Sequence, residues 1–240
     1  MKKVDIVIPV YNEEEGLAAS LYHLLSWVDV HPLHEWKIVV ANNASTDNTI
    51  NIAHDFEKKF PGQIYVINIP TKGRGIALRK SWTRSEADIC VFMDADLSTK
   101  LRHLPEIIDA IIIEGYDVCC GSRWLKESVV KRTLFRGIMS WTYNLILKLM
   151  LGFKINDAQC GFKAVKTTVA KKILPYVENN DWFFDSEFLI IAQKNNLRIK
   201  EIPIEWVDNA QSTVSVIKTI KQFLKEILRI RVNGVPKVTL

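Results

Sequence analysis

The sequence predicts an α/β protein: a mostly parallel, twisted sheet flanked by helices, with amphipathic helices toward the C-terminus. Three observations predict it. Short apolar runs rich in β-branched residues recur through the first half of the 240-residue chain. Segments of helix length separate them, the order expected of βαβ units. The runs are apolar almost without interruption, as strands covered on both faces are.

VDIVIPV (4–10) is the first strand, and 13–28 follows as a helix. WKIVVAN (36–42) is the second strand. The next helix, 46–60, takes Ser45 or Thr46 as its cap and Asp47 in its first turn, where a carboxylate meets the positive end of the helix dipole. IYVINIP (64–70), a helix over 74–86, ICVFMD (89–94), a helix over 101–114 and DVCCG (117–121) complete the alternation. The pattern then changes. Residues 131–151 read as a helix on which Arg132, Arg136, Ser140, Asn144 and Lys148 recur every four residues as a narrow polar stripe. The broad apolar remainder must be buried or lie in a membrane interface. RIKEIPIEWV (198–207) reads as one strand or a pair of strands. The tail, 214–231, is a basic amphipathic helix, with Ile217, Ile220, Leu224, Ile227 and Leu228 opposite Lys218, Lys221, Lys225 and Arg229.

Composition narrows the function classes. At 48% hydrophobic and 25% charged, the chain is not a disordered one. A net charge of +5, from 32 basic and 27 acidic residues, suits an anionic substrate or a membrane surface and makes no case for nucleic acid. Cys90, Cys119, Cys120 and Cys160 form no CxxC pair, so the expectation is reduced thiols in the core, without zinc or disulfides. The N-terminal apolar run is short and followed by acidic residues, unlike a signal peptide. No uncharged stretch of about 18 residues occurs, so no membrane span is expected. The five histidines (23, 31, 34, 54 and 103) adjoin no acidic or nucleophilic motif and read as surface residues.

In sheets of this kind ligands bind beyond the carboxyl ends of the strands. Pro9, Tyr11, Asn12 and Glu13 fall at one such end, Asn42 and Asn43 at another, and Asp94 at a third. In CVFMDADLST, Asp94 and Asp96 stand two apart, so in extended chain they point the same way. Two converging carboxylates repel unless a cation lies between them, and a hard divalent ion with oxygen ligands resolves this. The plainer alternative is a solvated turn with one capping Asp. Lys72, Gly73 and Arg74 belong to KGRG, whose glycines before a helix either bare N–H groups for phosphate or merely form a turn. Asn42, Asn43 and Asp47 could read a base or ribose, or simply cap. Arg123 could clamp a phosphate through both arms of its fork. Arg132 and Arg136 point the same way, or form a solvated stripe. Asp185 and Glu187, set among aromatics, are candidates for a general base or for orienting substrate, or are an N-cap and a first-turn Glu.

IVIPVYNEE, NNASTDNT, KGRG, MDADLS, GSR, DAQCGFK and WFFDSE occur in that order. Together, over roughly residues 4–215, they resemble family-2 glycosyltransferases of the dolichyl-phosphate or polyprenyl-phosphate sugar synthase type. The resemblance implies a GT-A, Rossmann-like fold and inverting transfer of a hexose from a nucleotide-sugar, UDP-glucose or GDP-mannose, to a polyprenyl or dolichyl phosphate. It assigns Pro9, Tyr11, Glu13, Asn42, Asp47, Lys72, Gly73, Arg74 and Ala95 to the donor. Asp94 and Asp96 would hold Mg2+ or Mn2+ and the donor diphosphate, with Ser98 where many relatives supply a third ligand. Arg123, Arg132, Arg136, Gln159 and Ser212 would hold acceptor or donor phosphate. Asp94, Asp96, Arg123, Asp185 and Glu187 form the implied catalytic set.

The expected organisation is one domain over 1–240: a nucleotide-sugar half (1–124), an acceptor half (125–215) and a basic amphipathic tail (216–240). The expected place is cytoplasmic, peripheral on the cytoplasmic face of a membrane, with an integral membrane protein as a further partner. Three rivals stand beside this reading. They are transfer to a hydroxyl in glycan or cell-wall synthesis, a phosphatase of the haloacid-dehalogenase type using DADLS, and a non-catalytic sugar-nucleotide-binding module.

Overall fold

The structure, a computed structural model, describes residues 1–208 and 216–239. A seven-stranded sheet runs in the order β3-β2-β1-β4-β7-β5-β8. Its strands are β1 (Lys3–Val10), β2 (Glu35–Asn43), β3 (Ile64–Ile69), β4 (Ile89–Met93), β5 (Val118–Ser122), β7 (Phe162–Lys166) and β8 (Ile199–Pro203). All pairings are parallel except those of β7, which lies antiparallel between β4 and β5. β6 (Val129–Lys131) and β9 (Glu205–Val207) form a separate two-stranded ribbon. The helices are α1 (Leu17–Asp29), α2 (Thr49–Lys59), α3 (Arg74–Arg84), α4 (Leu104–Ile112), α5 (Leu134–Leu151), α6 (Thr167–Ile173), α7 (Phe184–Lys194) and α8 (Val216–Asn233).

The period of two along β1 divides the core. Val4, Ile6 and Ile8 face one side, packed with Leu21, Leu24, Ala53, Leu104 and Ile108 of α1, α2 and α4. Val7 faces the other, with Leu78, Trp82, Phe184 and Phe188 of α3 and α7. Because β1, β2 and β4 are parallel, Val10, Asn43 and Met93 all end at one edge. β7 starts at that same edge, with Phe162 opposite Met93. The topology therefore delivers Tyr11–Glu13, Asn42–Asn43, Asp94 and the segment before β7 to one place.

The structure departs from the sequence reading at several points. β3 is an edge strand with Tyr65 exposed, so it is not covered on both faces. α2 starts at Thr49, and neither Ser45 nor Thr46 caps it. The Ser45 hydroxyl accepts the Asn12 N–H (3.1 Å), and the Thr46 N–H donates to Asn12 Oδ1 (2.8 Å). The N-cap position is Asn48, which makes no side-chain cap, and Asp47 just before it accepts the Thr49 N–H at 3.0 Å. His103 is buried, its Nε2 accepting the Glu205 N–H at 2.9 Å, because it sits where a short 3₁₀ turn leads into α4. All four cysteines are buried and free.

The largest departure is α5. Its core-facing side is mixed: Asn144 is buried, its Oδ1 accepting the Ala158 N–H at 3.1 Å, beside Leu147 and Leu151, while Lys148 of the stripe is exposed. Much of its apolar surface faces out, with Leu134 81% and Leu149 75% exposed, and Phe135, Ile138 and Trp141 exposed between them. α8 is rotated from the expected register. Ile227 and Ile230 are buried, Leu224 and Leu228 are exposed, and Arg229 turns inward. Among the described residues, no helix is long and apolar enough to cross a membrane.

Candidate active site

β4 carries five buried residues to the sheet edge and releases the chain at Asp94. The Asp94 N–H donates to the Gly161 carbonyl (3.2 Å), which ties the end of β4 to the segment entering β7. The Asp94 carboxylate lies on Gly161 so closely that a Cβ there would stand 1.8 Å from Oδ2. Leu97 then turns in the left-handed region (φ 48°), and the Ser98 N–H donates to Asp96 Oδ1 at 3.0 Å. Ala95 and Ser98 are buried in this turn.

Burial pushes the Asp94 carboxyl up to about 6; Arg74 and Lys163 oppose the rise, and Asp96 and Asp185 add to it. Glu13 is raised as well, by burial and by Asp96, Asp47 and Asp94. Carboxylates crowded enough to raise one another favour a bound cation. Among the described residues no three His, Cys, Asp or Glu side chains converge. An all-oxygen pair at Asp94 and Asp96 fits a hard divalent ion that keeps positions for phosphate oxygens and water.

The KGRG turn meets this edge from α3. Gly73 has φ 150°, and a Cβ on it would meet the Asn180 carbonyl oxygen at 2.4 Å. Two backbone donors of the turn are already used: Gly73 N–H by Asn43 Oδ1 (2.9 Å) and Ile76 N–H by the Asn180 carbonyl (3.0 Å). Cations, more than bare N–H groups, are what the turn presents. Lys72 Nζ stands 3.5 Å from the Tyr11 ring centroid. The Arg74 guanidinium lies 4.3 Å from the Trp182 ring centroid, with Nη2 2.5 Å from Asp185 Oδ2 and Nη1 3.7 Å from Asp94 Oδ1. Its Nε is buried without a partner.

At the end of β2, Asn42 is buried and donates from Nδ2 to Asn68 Oδ1 (2.8 Å), while its own Oδ1 is buried and unpartnered. Pro9 is half-buried on β1 beside it. Asp47 is engaged by Thr49 and by the Glu14 N–H (3.2 Å), joining the loop after β1 to α2.

On the far side of β4, Arg123 follows β5. Both arms of its fork are filled by Asp157, which is fully buried: Nε to Oδ2 at 2.7 Å and Nη2 to Oδ1 at 2.9 Å. Arg136 pairs with Asp208. Arg132 lies 4.1 Å from the Trp124 ring centroid, and the two join Thr133, Leu134, Ile138 and Trp141 around an open groove of ≈ 410 Å³. Gln159 Nε2 donates to Ser186 Oγ (2.8 Å), which also bonds Tyr143 OH (2.5 Å). Ser212 lies outside the described residues.

Asp185 and Glu187 are carried inward by the first turn of α7, and only 1% and 2% of each is exposed. Asp185 sits between Arg74 and Lys163, whose Nζ is 2.9 Å from Oδ1. Glu187 accepts the Asn179 N–H (2.7 Å) and pairs with Arg229 (2.5 Å). The structure thus gathers Glu13, Asp94, Asp96, Arg74, Gln159 and Asp185 around one edge, and Arg123 and Glu187 in separate ion pairs. Lys163, Asp157, Asn68, Trp124 and Trp182 were not singled out by the sequence reading. Asp157 and Lys163 stand at the two ends of DAQCGFK and Trp182 opens WFFDSE, so those motifs held the signal; Asn68 and Trp124 left none.

The glycosyl transferase family 2 profile matches residues 5–174. Among curated relatives, the glycosyltransferase AglD of Haloferax volcanii is 31% identical over 95% of this chain and 36% of its own. The dolichyl-phosphate beta-glucosyltransferase of Saccharomyces cerevisiae is 30% identical over 89% of this chain and 70% of its own. The chain spans about a third of the first relative's length. Among solved structures, glucosyl-3-phosphoglycerate synthase from Mycobacterium tuberculosis, in complex with Mn2+, UDP and phosphoglyceric acid, superposes with a TM-score of 0.70 at 17% identity, covering 98% of this chain and 80% of that one.

Proposed function

The chain belongs to glycosyl transferase family 2 and has the GT-A fold, and from that premise we propose that it moves a hexose from a nucleotide-sugar to a polyprenyl phosphate such as dolichyl phosphate. The observation that carries the acceptor class is the state of the two carboxylates that could serve as a general base. Asp185 and Glu187 are both buried and both held in ion pairs. A hydroxyl nucleophile needs a base to take its proton. A phosphate monoester, with a second pKa of about 6, is already ionised at neutral pH. The site suits a nucleophile that arrives charged.

In this reading Asp94 and Asp96 hold Mg2+ or Mn2+, which when bound would neutralise the charge developing on the leaving nucleoside diphosphate. Arg74 and Lys72 meet the diphosphate oxygens. Tyr11, Glu13, Asn42 and Pro9 line the nucleoside side. An acceptor phosphate oxygen attacks the anomeric carbon from the face opposite the diphosphate. The new C–O bond forms as the old one breaks, which inverts that carbon. Arg132 supplies a cation for the acceptor phosphate, and the apolar wall of Trp124, Leu134, Ile138 and Trp141 suits an isoprenoid chain. UDP-glucose is the first donor to try, because the yeast relative is named a glucosyltransferase and the Mycobacterium synthase has been solved with UDP-glucose.

The outward face of α5 supports docking on a membrane. Its exposed side is apolar, the helix carries no acid, and Lys148 is exposed on it, so it suits an anionic lipid surface. We place the protein peripherally on the cytoplasmic face, where the same surface could meet an integral membrane partner.

The test offers the protein UDP-glucose and GDP-mannose with polyprenyl phosphate or the matching polyprenol, in Mg2+ or Mn2+. Transfer to the phosphate and not to the alcohol is expected. Equal transfer to the alcohol, or phosphate release without any nucleotide-sugar, would contradict the proposal.

A further inference from the structure

Lys163 has no part in the reading above, yet it is a buried ammonium 2% exposed beneath the acidic edge. We infer that Lys163 and Asp185 are positioning residues that fix Arg74 as the cation awaiting the donor diphosphate; the inference rests on the proposed nucleotide-sugar site and deepens it. Lys163 stands on β7 directly opposite Phe92 of β4. Its Nζ donates to the Cys160 carbonyl, lies 2.9 Å from Asp185 Oδ1 and stands 5.8 Å from the Phe92 ring centroid. The ammonium is thus spent inside the protein and reaches no ligand.

Asp185 is divided between two cations, Lys163 on Oδ1 and Arg74 on Oδ2. Lysine, aspartate and arginine together carry one excess positive charge, which Asp94 at 3.7 Å offsets until a bound cation takes up the charge of Asp94. Lys163 is sealed, so the excess appears at Arg74. The guanidinium cannot swing away: Trp182 covers one face at 4.3 Å, Asp185 grips Nη2, and Gln159 Oε1 stands 3.5 Å from it. Nη1 is left toward Asp94 at 3.7 Å, longer than a hydrogen bond, and Nε is buried with no partner. A cation held in place before the ligand arrives, with donors unspent, stabilises developing charge without reorganising.

The role of Lys163 follows from charge balance. Without it, Asp185 would belong wholly to Arg74, closing a neutral pair that no longer draws an anion. Without Asp185, Arg74 would face Lys163 as a like charge and lose its anchor. Either loss should act on the phosphates and leave the nucleoside end, at Asn42 and Tyr11, untouched.

The experiment compares wild type with Lys163→Met, and with Asp185→Asn as the isosteric alternative, by calorimetric titration at 25 °C with UDP and GDP in Mn2+. Uridine and guanosine serve as phosphate-free counterparts, followed by NMR, and Tm is recorded for each variant. The expected result is diphosphate affinity at least tenfold weaker, a KM for donor raised in step, and nucleoside binding unchanged in the folded variants. If Lys163→Met does not fold, Lys163→Gln, which can still donate to the Cys160 carbonyl, removes the same charge and gives the same readout. Unchanged diphosphate affinity, or equal weakening of nucleoside and diphosphate, overturns the inference and leaves the proposed function standing. A wild type that binds neither diphosphate overturns both.

Discussion

Asp94 carries an electrostatic load that its own substitution should reveal. Its folded carboxyl titrates near 6, while the ordinary value is 3.8. Between those values the folded protein holds more proton than the unfolded chain. The metal-free protein should therefore gain stability as pH falls from about 6 toward 4, and carry a penalty at pH 7. The carboxylate is about a third exposed, so solvent screening limits that penalty to about 1 kcal/mol. Asp94→Asn is expected to raise the metal-free Tm by roughly 2–4 °C at pH 7 and to abolish Mn2+ binding, read by thermal scans and metal titration. Gly161→Ala acts on the same carboxylate through space. Its Cβ would occupy the position of Asp94 Oδ2, so a loss of about 1–3 kcal/mol together with the metal site is expected in denaturant titration. Arg123 presents the opposite case. Removing it leaves Asp157 buried and unpaired, so Arg123→Met should cost about 3–5 kcal/mol in the same measurement. The acidic pair was legible from sequence because a charge pair ending an apolar strand is a local feature. The partner of Arg123 stands 34 residues away, and only the fold brings the two together.

Elements repeat the lesson with different physics. The strands β1, β2, β4 and β5 announce themselves because burial on both faces leaves their central runs almost wholly apolar, with Asp5 of β1 the buried exception. β7 does not, because what defines it is insertion antiparallel between β4 and β5, a neighbour relation that no local pattern carries. On α5 the periodicity is correct but ambiguous in sign. A stripe of polar residues every four positions looks the same whether all of it faces water or, as here, one member, Asn144, is buried with Leu147 and Leu151 while Leu134, Phe135, Ile138, Trp141 and Leu149 face out. That outward face is testable by itself. Phe135→Ser with Trp141→Ser removes exposed aromatics and should leave Tm within a few degrees of wild type. Flotation with anionic vesicles should show binding reduced several-fold; unchanged flotation would remove α5 from the membrane contact. α8 is tied to the body where Arg229 meets Glu187, and the same carboxylate holds the 178–179 backbone. Glu187 thus braces the loop whose Asn180 carbonyl receives Ile76 of α3.

For the whole molecule, the parallel strands decide where chemistry happens. They bring the ends of β1, β2 and β4 to one edge, and β7 returns Gln159 and Gly161 to it. The sequence motifs, spread over most of the chain, reach the neighbourhood of one edge only through that topology. Their order could be read without the structure. What could not be read is which charges are spent inside the protein and which remain for ligands, since that depends on pairs such as Arg123–Asp157 and Lys163–Asp185. The central claim is metal-dependent sugar transfer to a lipid phosphate at Asp94 and Asp96. Its most direct measurement is the rate at which labelled glucose passes from UDP-glucose, or mannose from GDP-mannose, to polyprenyl phosphate in Mn2+. The rate is compared between wild type, wild type in excess chelator, and Asp96→Asn. The account predicts transfer by wild type alone, with both other rates lower by at least a hundredfold, on the order expected when a group stabilising the leaving charge is removed. Undiminished transfer in chelator or in Asp96→Asn would contradict it.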